Sequence, residues 1–188
     1  MDTIELLSML LPLYLLLPAL LPSSFAVIFG GGKPIDFNKS WRGNRIFGDG
    51  KTWRGLIGGG AVGVLIGLLE WWGYLAYPSA QWGLPDYSVT IPVVLALSFG
   101  SLLGDLGGAF IKRRMGLSRG QKAPVLDQYD FVVGAFVIAF IVDPSWFIDS
   151  LLSGNHWIGL IIFLIIVPIL HRLFNVLGYK MGKKNVPW

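Results

Sequence analysis

The chain has 188 residues, 54% hydrophobic and 14% charged, with 15 Lys and Arg against 11 Asp and Glu, a formal net charge of +4. A soluble domain carries about 25% charged residues, and here the apolar residues fall in long runs, which excludes an ordinary soluble fold. The chain has no cysteine, so a disulfide framework, a thiolate nucleophile and a Cys-based zinc site are excluded. Two widely separated histidines, His156 and His171, do not make a His-rich metal centre.

Five apolar runs succeed one another, at residues 4–29, 56–77, 89–111, 131–146 and 157–177. A helix needs about 20 residues to cross a bilayer core. Each run is therefore read as a membrane span, the fourth being the shortest, and residues 1–188 as one membrane-embedded domain. The first run carries Pro12, Pro18 and Pro22. Proline removes a helical hydrogen bond and clashes with the preceding turn, so kinks are expected; membrane helices tolerate them where neighbours satisfy the freed carbonyls. The start, Met1-Asp2-Thr3-Ile4-Glu5, is acidic where a secretory signal is basic, so this run is expected to remain as a span.

The charges separate by side. Residues 30–55 hold Lys33, Lys39, Arg42, Arg45, Lys51 and Arg54; residues 112–130 hold Lys112, Arg113, Arg114, Arg119 and Lys122; the C-terminal end holds Arg172, Lys180, Lys183 and Lys184. Five spans place all three segments on one face and leave Asp2, Glu5, Asp86, Asp143 and Asp149 on the other, with no base. Lys and Arg mark the cytoplasmic side. The N-terminus is therefore expected outside, the C-terminus in the cytoplasm, and two long basic loops on the cytoplasmic face of a cell membrane. Trp71, Trp72, Trp82, Trp146 and Trp157 cluster near the expected outer ends, as an interfacial belt does, and Glu70 beside them reads as an interfacial acid. The short outer loops carry little chemistry, so function is expected on the inner face.

Asp105 interrupts the third run. A carboxylate within a span costs about 3 kcal/mol on insertion scales, so it has a partner or a role. Lys112, seven positions on, lies on the same helical face and would make a pair that pins the helix. Gly104, Gly107 and Gly108 flank the acid and admit a ligand or another backbone, although such glycines also serve plain helix packing. Asp127 and Asp130 share a helical face if the fourth helix begins near them, a place where acids also cap helices. Three carboxylates at similar depth, with no His or Cys, suit Mg²⁺. The bases of residues 112–122 would hold anionic lipid headgroups or, interleaved with acids as they are, the phosphates of a metal–polyphosphate complex.

The loop of residues 30–55 contains an echo, Lys39-Ser40-Trp41-Arg42-Gly43 and Lys51-Thr52-Trp53-Arg54-Gly55. Gly48-Asp49-Gly50-Lys51-Thr52 is like half a P-loop, but Arg45 stands where the first glycine is required and no strand is expected before it, so that reading fails. What remains is a glycine-rich basic turn leading into a helix, whose amides suit a phosphate. Trp53 would stack on a base or sit in the membrane interface. His171 and Arg172 would snorkel to the surface or face the site.

Ser101-Leu102-Leu103-Gly104-Asp105-Leu106, Lys112-Arg113 and Leu126-Asp127-Gln128-Tyr129-Asp130 match S-x-x-G-D-L, K-R and L-D-[RQ]-x-D, and Gly50-Lys51-Thr52-Trp53-Arg54-Gly55 matches G-K-T-W-x-G. In these elements the chain resembles the CDP-diglyceride synthetase superfamily. It departs from the bacterial and eukaryotic pattern, P-G-H-G-G, where Lys122-Ala123-Pro124-Val125 stands instead. No histidine role is carried over from that branch. The run GGGKPIDFNKSW to GDGKTWRG, with LDQYDF at 126–131, resembles the archaeal branch, the CDP-archaeol synthase family.

The resemblance implies an all-α, five-span, multi-pass membrane cytidylyltransferase. It would join CTP to an unsaturated isoprenoid ether lipid phosphate, di-geranylgeranyl glycerol 1-phosphate, and release pyrophosphate. Its partners would be CTP, that lipid and the surrounding membrane lipids, with no nucleic acid. It implies Mg²⁺ on Asp105, Asp127 and Asp130, with Lys112 completing the catalytic set. Lys51, Thr52, Arg54, Ser101, Arg113, Arg119 and Lys122 would bind the nucleotide and its phosphates. The rival from another class is a small transporter or channel with Asp105 as an intramembrane ion site, which accounts for one acid but not for the dense inner loops. A CDP-alcohol phosphotransferase is set aside because its D-G-x-x-A-R pattern is absent.

Overall fold

The computed structural model describes residues 3–77, 88–183 and 186–187. Five helical stretches among them are long and apolar enough to cross a membrane: Glu5–Phe29, Trp53–Ala76, Ile91–Arg114, Pro124–Val142 and His156–Lys180. The first is broken into α1 (Thr3–Leu15), α2 (Leu17–Leu20) and α3 (Pro22–Phe29). The expected kinks fall at two of the three prolines: Pro18 opens α2 and Pro22 opens α3, while Pro12 lies within α1.

Between α3 and α4 (Trp53–Ala76) the chain forms a small antiparallel hairpin, β1 (Ser40–Trp41) and β2 (Asn44–Arg45), with Trp41 opposite Asn44. The expected all-α architecture holds for the long helices; the hairpin lies ahead of the Gly48–Thr52 turn, where no strand was expected. Arg42 and Gly43 both have positive φ, 50° and 81°, the backbone of a tight two-residue hairpin turn. The same five-residue pattern repeated at 51–55 does something else: Thr52 caps α4, its Oγ1 accepting from Gly55 N at 3.2 Å. The echo in sequence is therefore not a structural repeat.

Helix α5 (Ile91–Arg114) is central, and its largest helix–helix interface is with α6 (Pro124–Val142). Both helices run further into the second basic loop than the apolar runs do, leaving residues 115–123 as connection. Pro124 supplies the N-terminal start of α6, so Asp127 and Asp130 stand inside the helix rather than ahead of it. Gly134 of α6 sits against Gly104 of α5, a backbone approach that any side chain would block. Helix α4 turns Gly59, Gly60, Gly63 and Gly67 toward Pro22, Phe99, Ser98 and Val94 in the same way. The buried core is apolar, with Leu15, Leu16, Val93, Leu97, Ala135, Ala139, Leu151, Phe163 and Val167 among its members. Ile57, Leu65, Leu69, Ile165 and Ile169 point outward, as lipid-facing residues do.

At the end away from the bases, α7 (Pro144–Leu151) was not expected; Asp143 caps it, accepting from Trp146 N at 2.9 Å. His156, at the start of α8 (His156–Lys180), is buried, its Nδ1 2.9 Å from Asp149 O and its Nε2 3.1 Å from Ser8 Oγ. It ties α1 to α8. Two interface assignments change. Trp146 is buried, with Nε1 donating to Ser88 O, whereas Trp71, Trp72 and Trp157 are exposed. Glu70 is buried too, at 4% exposure, and its carboxyl oxygens have no hydrogen-bond partner among the described residues. Asp2, Trp82, Asp86 and Lys184 lie outside the described residues.

Candidate active site

Where the basic segments meet, a cavity of about 800 Å³ opens, within the range that ligand pockets occupy. Its walls come from α3, the turn at residues 47–51, the last turns of α5, residues 119–121, the start of α6 and the end of α8. Asp105 enters from α5, and Lys51 Nζ reaches its Oδ2 at 2.5 Å. Lys112, further along α5, does not form the helix-pinning pair with Asp105 that was one alternative; it reaches across to α6 and meets Asp127 Oδ1 at 2.5 Å. Seven residues separate Asp105 from Lys112, about 10 Å along a helix axis, so sharing a face does not bring them into contact. Asp127 also caps its own helix, its Oδ2 accepting from Ala123 N at 2.8 Å. Asp127 thus binds the first turn of its helix and lines the cavity at once.

Asp130 is buried at 9% exposure and lies directly over Gly108, whose added Cβ would stand 2.7 Å from Asp130 Cβ. Its Oδ1 accepts from Phe131 N at 2.8 Å. Gly108 therefore creates the space that this carboxylate fills. Among the described residues no three Asp, Glu, His or Cys side chains are gathered as a ready-made metal site. The donor chemistry still fits a hard cation: three carboxylates line one cavity, and two of them hold lysine ammonium groups where a cation belongs.

The loop of residues 30–55 is held by a buried carboxylate that is not among the residues expected at the site. Asp36 accepts from Asn38 N at 3.1 Å, Phe47 N at 3.0 Å and Gly48 N at 2.9 Å, and takes both Arg45 Nε and Nη2, at 3.2 and 2.7 Å. Arg45 Nη1 also reaches Asp49 at 2.7 Å. Burial acts to raise the Asp36 pKa, but the Arg45 guanidinium and the three amides outweigh it and hold the carboxyl well below its ordinary value. At the tip of α5, Arg114 donates to the carbonyls of Trp41, Asn44 and Arg45, and its guanidinium lies over the Trp41 and Phe110 rings. The hairpin is thereby clamped to the helix that carries Asp105.

Of the residues expected at the site, Lys51, Asp105, Lys112, Arg113, Arg119, Asp127 and Asp130 line the cavity. Arg113 does so while donating to Leu117 O and Phe47 O, bridging the two basic loops. Four others lie outside its lining. Thr52 is the helix cap and borders a separate pocket of about 40 Å³. Arg54 lays its side chain beside Gly32. Ser101 is buried and donates to Ser98 O at 2.9 Å. Lys122 is exposed. His171 takes the site-facing alternative and lines the cavity, as do Asn175, Ser23 and Ser24, which the motifs missed. Asn175 is one helical turn from His171, Nδ2 to Nδ1 at 3.4 Å. Two polar residues at that spacing in an otherwise apolar helix are the signal that marks this face.

A multi-span membrane protein whose basic end encloses carboxylates paired with lysines has the makings of a polyanion site at a membrane surface. The profile of the CarS-like family, CDP-archaeol synthase, matches residues 3–188. The chain is 46% identical over 180 residues to the CDP-archaeol synthase of Methanosarcina barkeri, which covers 92% of this chain and 100% of that protein. It is 47% identical over 174 residues to that of Methanoregula boonei, with the same coverage. A solved structure of an intramembrane enzyme for archaeal membrane lipids biosynthesis superposes with a TM-score of 0.65 at 32% identity, covering 89% of this chain and 94% of that one. The chain belongs to the CDP-archaeol synthase family. That membership does not favour the transporter reading.

Proposed function

We propose that the protein transfers CMP from CTP to an unsaturated isoprenoid ether lipid phosphate, giving CDP-archaeol in unsaturated form and pyrophosphate. The observation that carries this reading is the pair of lysine–carboxylate contacts, Lys51–Asp105 and Lys112–Asp127, facing one cavity beside Arg113 and Arg119. Both halves of a metal–triphosphate complex find a complementary partner there. Asp105, Asp127 and Asp130 would hold Mg²⁺, which when bound draws charge from the triphosphate and from the departing pyrophosphate.

An oxygen of the lipid phosphate attacks the α-phosphorus of CTP, and the bond between the α- and β-phosphates breaks. A phosphate monoester is already anionic near neutral pH, so the reaction calls for no general base. Lys51 and Lys112 turn from carboxylate to phosphate as the nucleotide enters, and Arg119 adds charge at the rim. The barrier is chiefly repulsion between anions and their alignment, both of which preset cations lower. The lipid chains stay in the bilayer, and the headgroup reaches the cavity from the side. The grouping of bases supports an inner-face site in the cell membrane, with the N-terminus outside.

The test is purified protein with Mg²⁺, CTP and a panel of lipid phosphates differing in chain saturation and in ether or ester linkage, followed by pyrophosphate release. Turnover greatest with the unsaturated ether lipid is expected. No product with any lipid phosphate would sink the reading.

A further inference from the structure

We propose that Asp36 is a positioning residue for the nucleotide half of the site, acting through the turn at residues 47–51; this rests on the function proposed above. Asp36 touches no cavity residue chemistry directly except through that turn. Its side chain is fully buried, and its two oxygens take three backbone amides and the bidentate Arg45 guanidinium. Two of those amides, from Phe47 and Gly48, belong to cavity-lining residues. Arg45 then extends the network to Asp49, another lining residue.

The far end of the turn is fixed separately by backbone. Ile35 N donates to Lys51 O at 2.8 Å and Trp53 N to Lys33 O at 3.2 Å, with Pro34 and Thr52 bridged between them. The segment at 33–36 therefore grips the turn at both ends, by carboxylate at Phe47–Gly48 and by main chain at Lys51. The result is a Lys51 side chain delivered to Asp105 at 2.5 Å. An ammonium on a flexible stem loses side-chain entropy when it is held in one place, and a misplacement of about 1 Å in a positioning element can lower turnover about 100-fold. A rigid turn reduces both penalties. A carboxylate is suited to this work because it is acceptor-only and takes several donors at once; an amide of the same shape keeps one acceptor oxygen and turns an NH2 either on the Phe47 and Gly48 amides, which share Oδ2, or on the Asn38 amide and Arg45 Nη2 at Oδ1. Asp36 falls within the run GGGKPIDFNKSW, but the resemblance gives it no role; that role appears only when the loop is folded.

The experiment compares wild-type protein with Asp36→Asn, purified as the full chain in lipid nanodiscs, measuring KM for CTP and for lipid phosphate, kcat and Tm. The expected result is a rise of about tenfold or more in KM for CTP, with KM for the lipid phosphate unchanged and kcat at saturating CTP within about threefold. Arg45→Gln keeps the three amide bonds and is expected to shift KM for CTP in the same direction by a smaller factor; it also serves if Asp36→Asn does not fold. Unchanged KM for CTP in either variant overturns the proposal. So does an equal loss for both substrates in step with a lowered Tm, the signature of a merely structural role. Should wild-type protein release no pyrophosphate, the functional reading fails instead. CTP binding by calorimetry then decides this inference alone, with about tenfold weaker binding in Asp36→Asn expected and equal binding overturning it.

Discussion

Lys51 Nζ stands 2.5 Å from Asp105 Oδ2, joining the first basic loop to a residue within helix α5. The contact joins two parts of the site that lie far apart in sequence, and it makes each dependent on the other. Asp105→Asn, Asp127→Asn and Asp130→Asn are each expected to lower turnover about 100-fold or more, the scale on which electrostatic elements of active sites act. The proteins should remain folded and extractable. Asp149→Asn, exposed at the opposite end, is expected to be silent. Pyrophosphate release by the four purified variants checks this; near-normal turnover in the first three would reject the assignment of these acids.

The lysines hold the carboxylates that a cation would take. Lys51→Ala is therefore expected to act in opposite directions on the two ligands. CTP binding weakens, because a phosphate partner is gone. Mn²⁺ binding without nucleotide, read by the loss of its free-ion paramagnetic signal, tightens, because Asp105 no longer holds an ammonium. Weakening of both would show that Lys51 does not compete with metal at Asp105.

Much of this arrangement is legible in the chain. The five spans, the gathering of bases at one end and seven of the nine charged residues that line the cavity follow from apolar run length, charge placement and motif spacing. What sequence does not show is which charges meet. Asp105 and Lys112 share a helical face yet each finds a partner on another element, because contact is set by the approach of α4 and α6 to α5. Thr52 and Ser101 fit the motif, but their hydroxyls are spent on a helix cap and on a helix carbonyl. Asp36 looks like any polar loop residue until the hairpin closes around it. Glu70 lies next to a tryptophan pair and still points inward, since its place around the helix, not its depth, decides burial.

Gly108 is the counterpart of Asp130. A methyl group there would collide with the carboxylate and its Cβ. Gly108→Ala is expected to displace Asp130 and part α5 from α6, with a loss of about 1–3 kcal/mol of stability, as overpacking brings. Activity should fall at least as far as in Asp130→Asn. Gly107, with open space at its Cβ, is the control: Gly107→Ala should keep both stability and turnover. Thermal inactivation midpoints and turnover of the two variants separate the outcomes.

Glu70 contributes nothing to the cavity, and its buried carboxyl oxygens have no partner among the described residues. A buried polar group left unsatisfied costs about 1–3 kcal/mol. Glu70→Met, of similar length, is expected to raise the thermal midpoint in detergent and leave KM and kcat unchanged. A lowered midpoint would mean that the carboxyl is satisfied in the membrane, and a change in turnover would mean that it takes part in the reaction.

Asp36 predicts the acid limb of stability. Burial works against its charge, but Arg45 and the amides of Asn38, Phe47 and Gly48 hold its folded pKa well below the usual value. A carboxyl depressed in this way stabilises the fold fully above its unfolded pKa, about 4, and the contribution is lost as pH falls through the folded value. Arg45 stays protonated throughout, so Asp36 is the member of that pair that titrates. The difference in Tm between wild type and Asp36→Asn is expected to be full and flat from pH 7 down to about pH 5, and to shrink steadily below about pH 4. Tm measured at intervals across this range, on protein held in one detergent, checks the sign. A difference that grows on acidification would show that the carboxyl is stabilised in its neutral form and that the amides of Phe47 and Gly48 are held by something else.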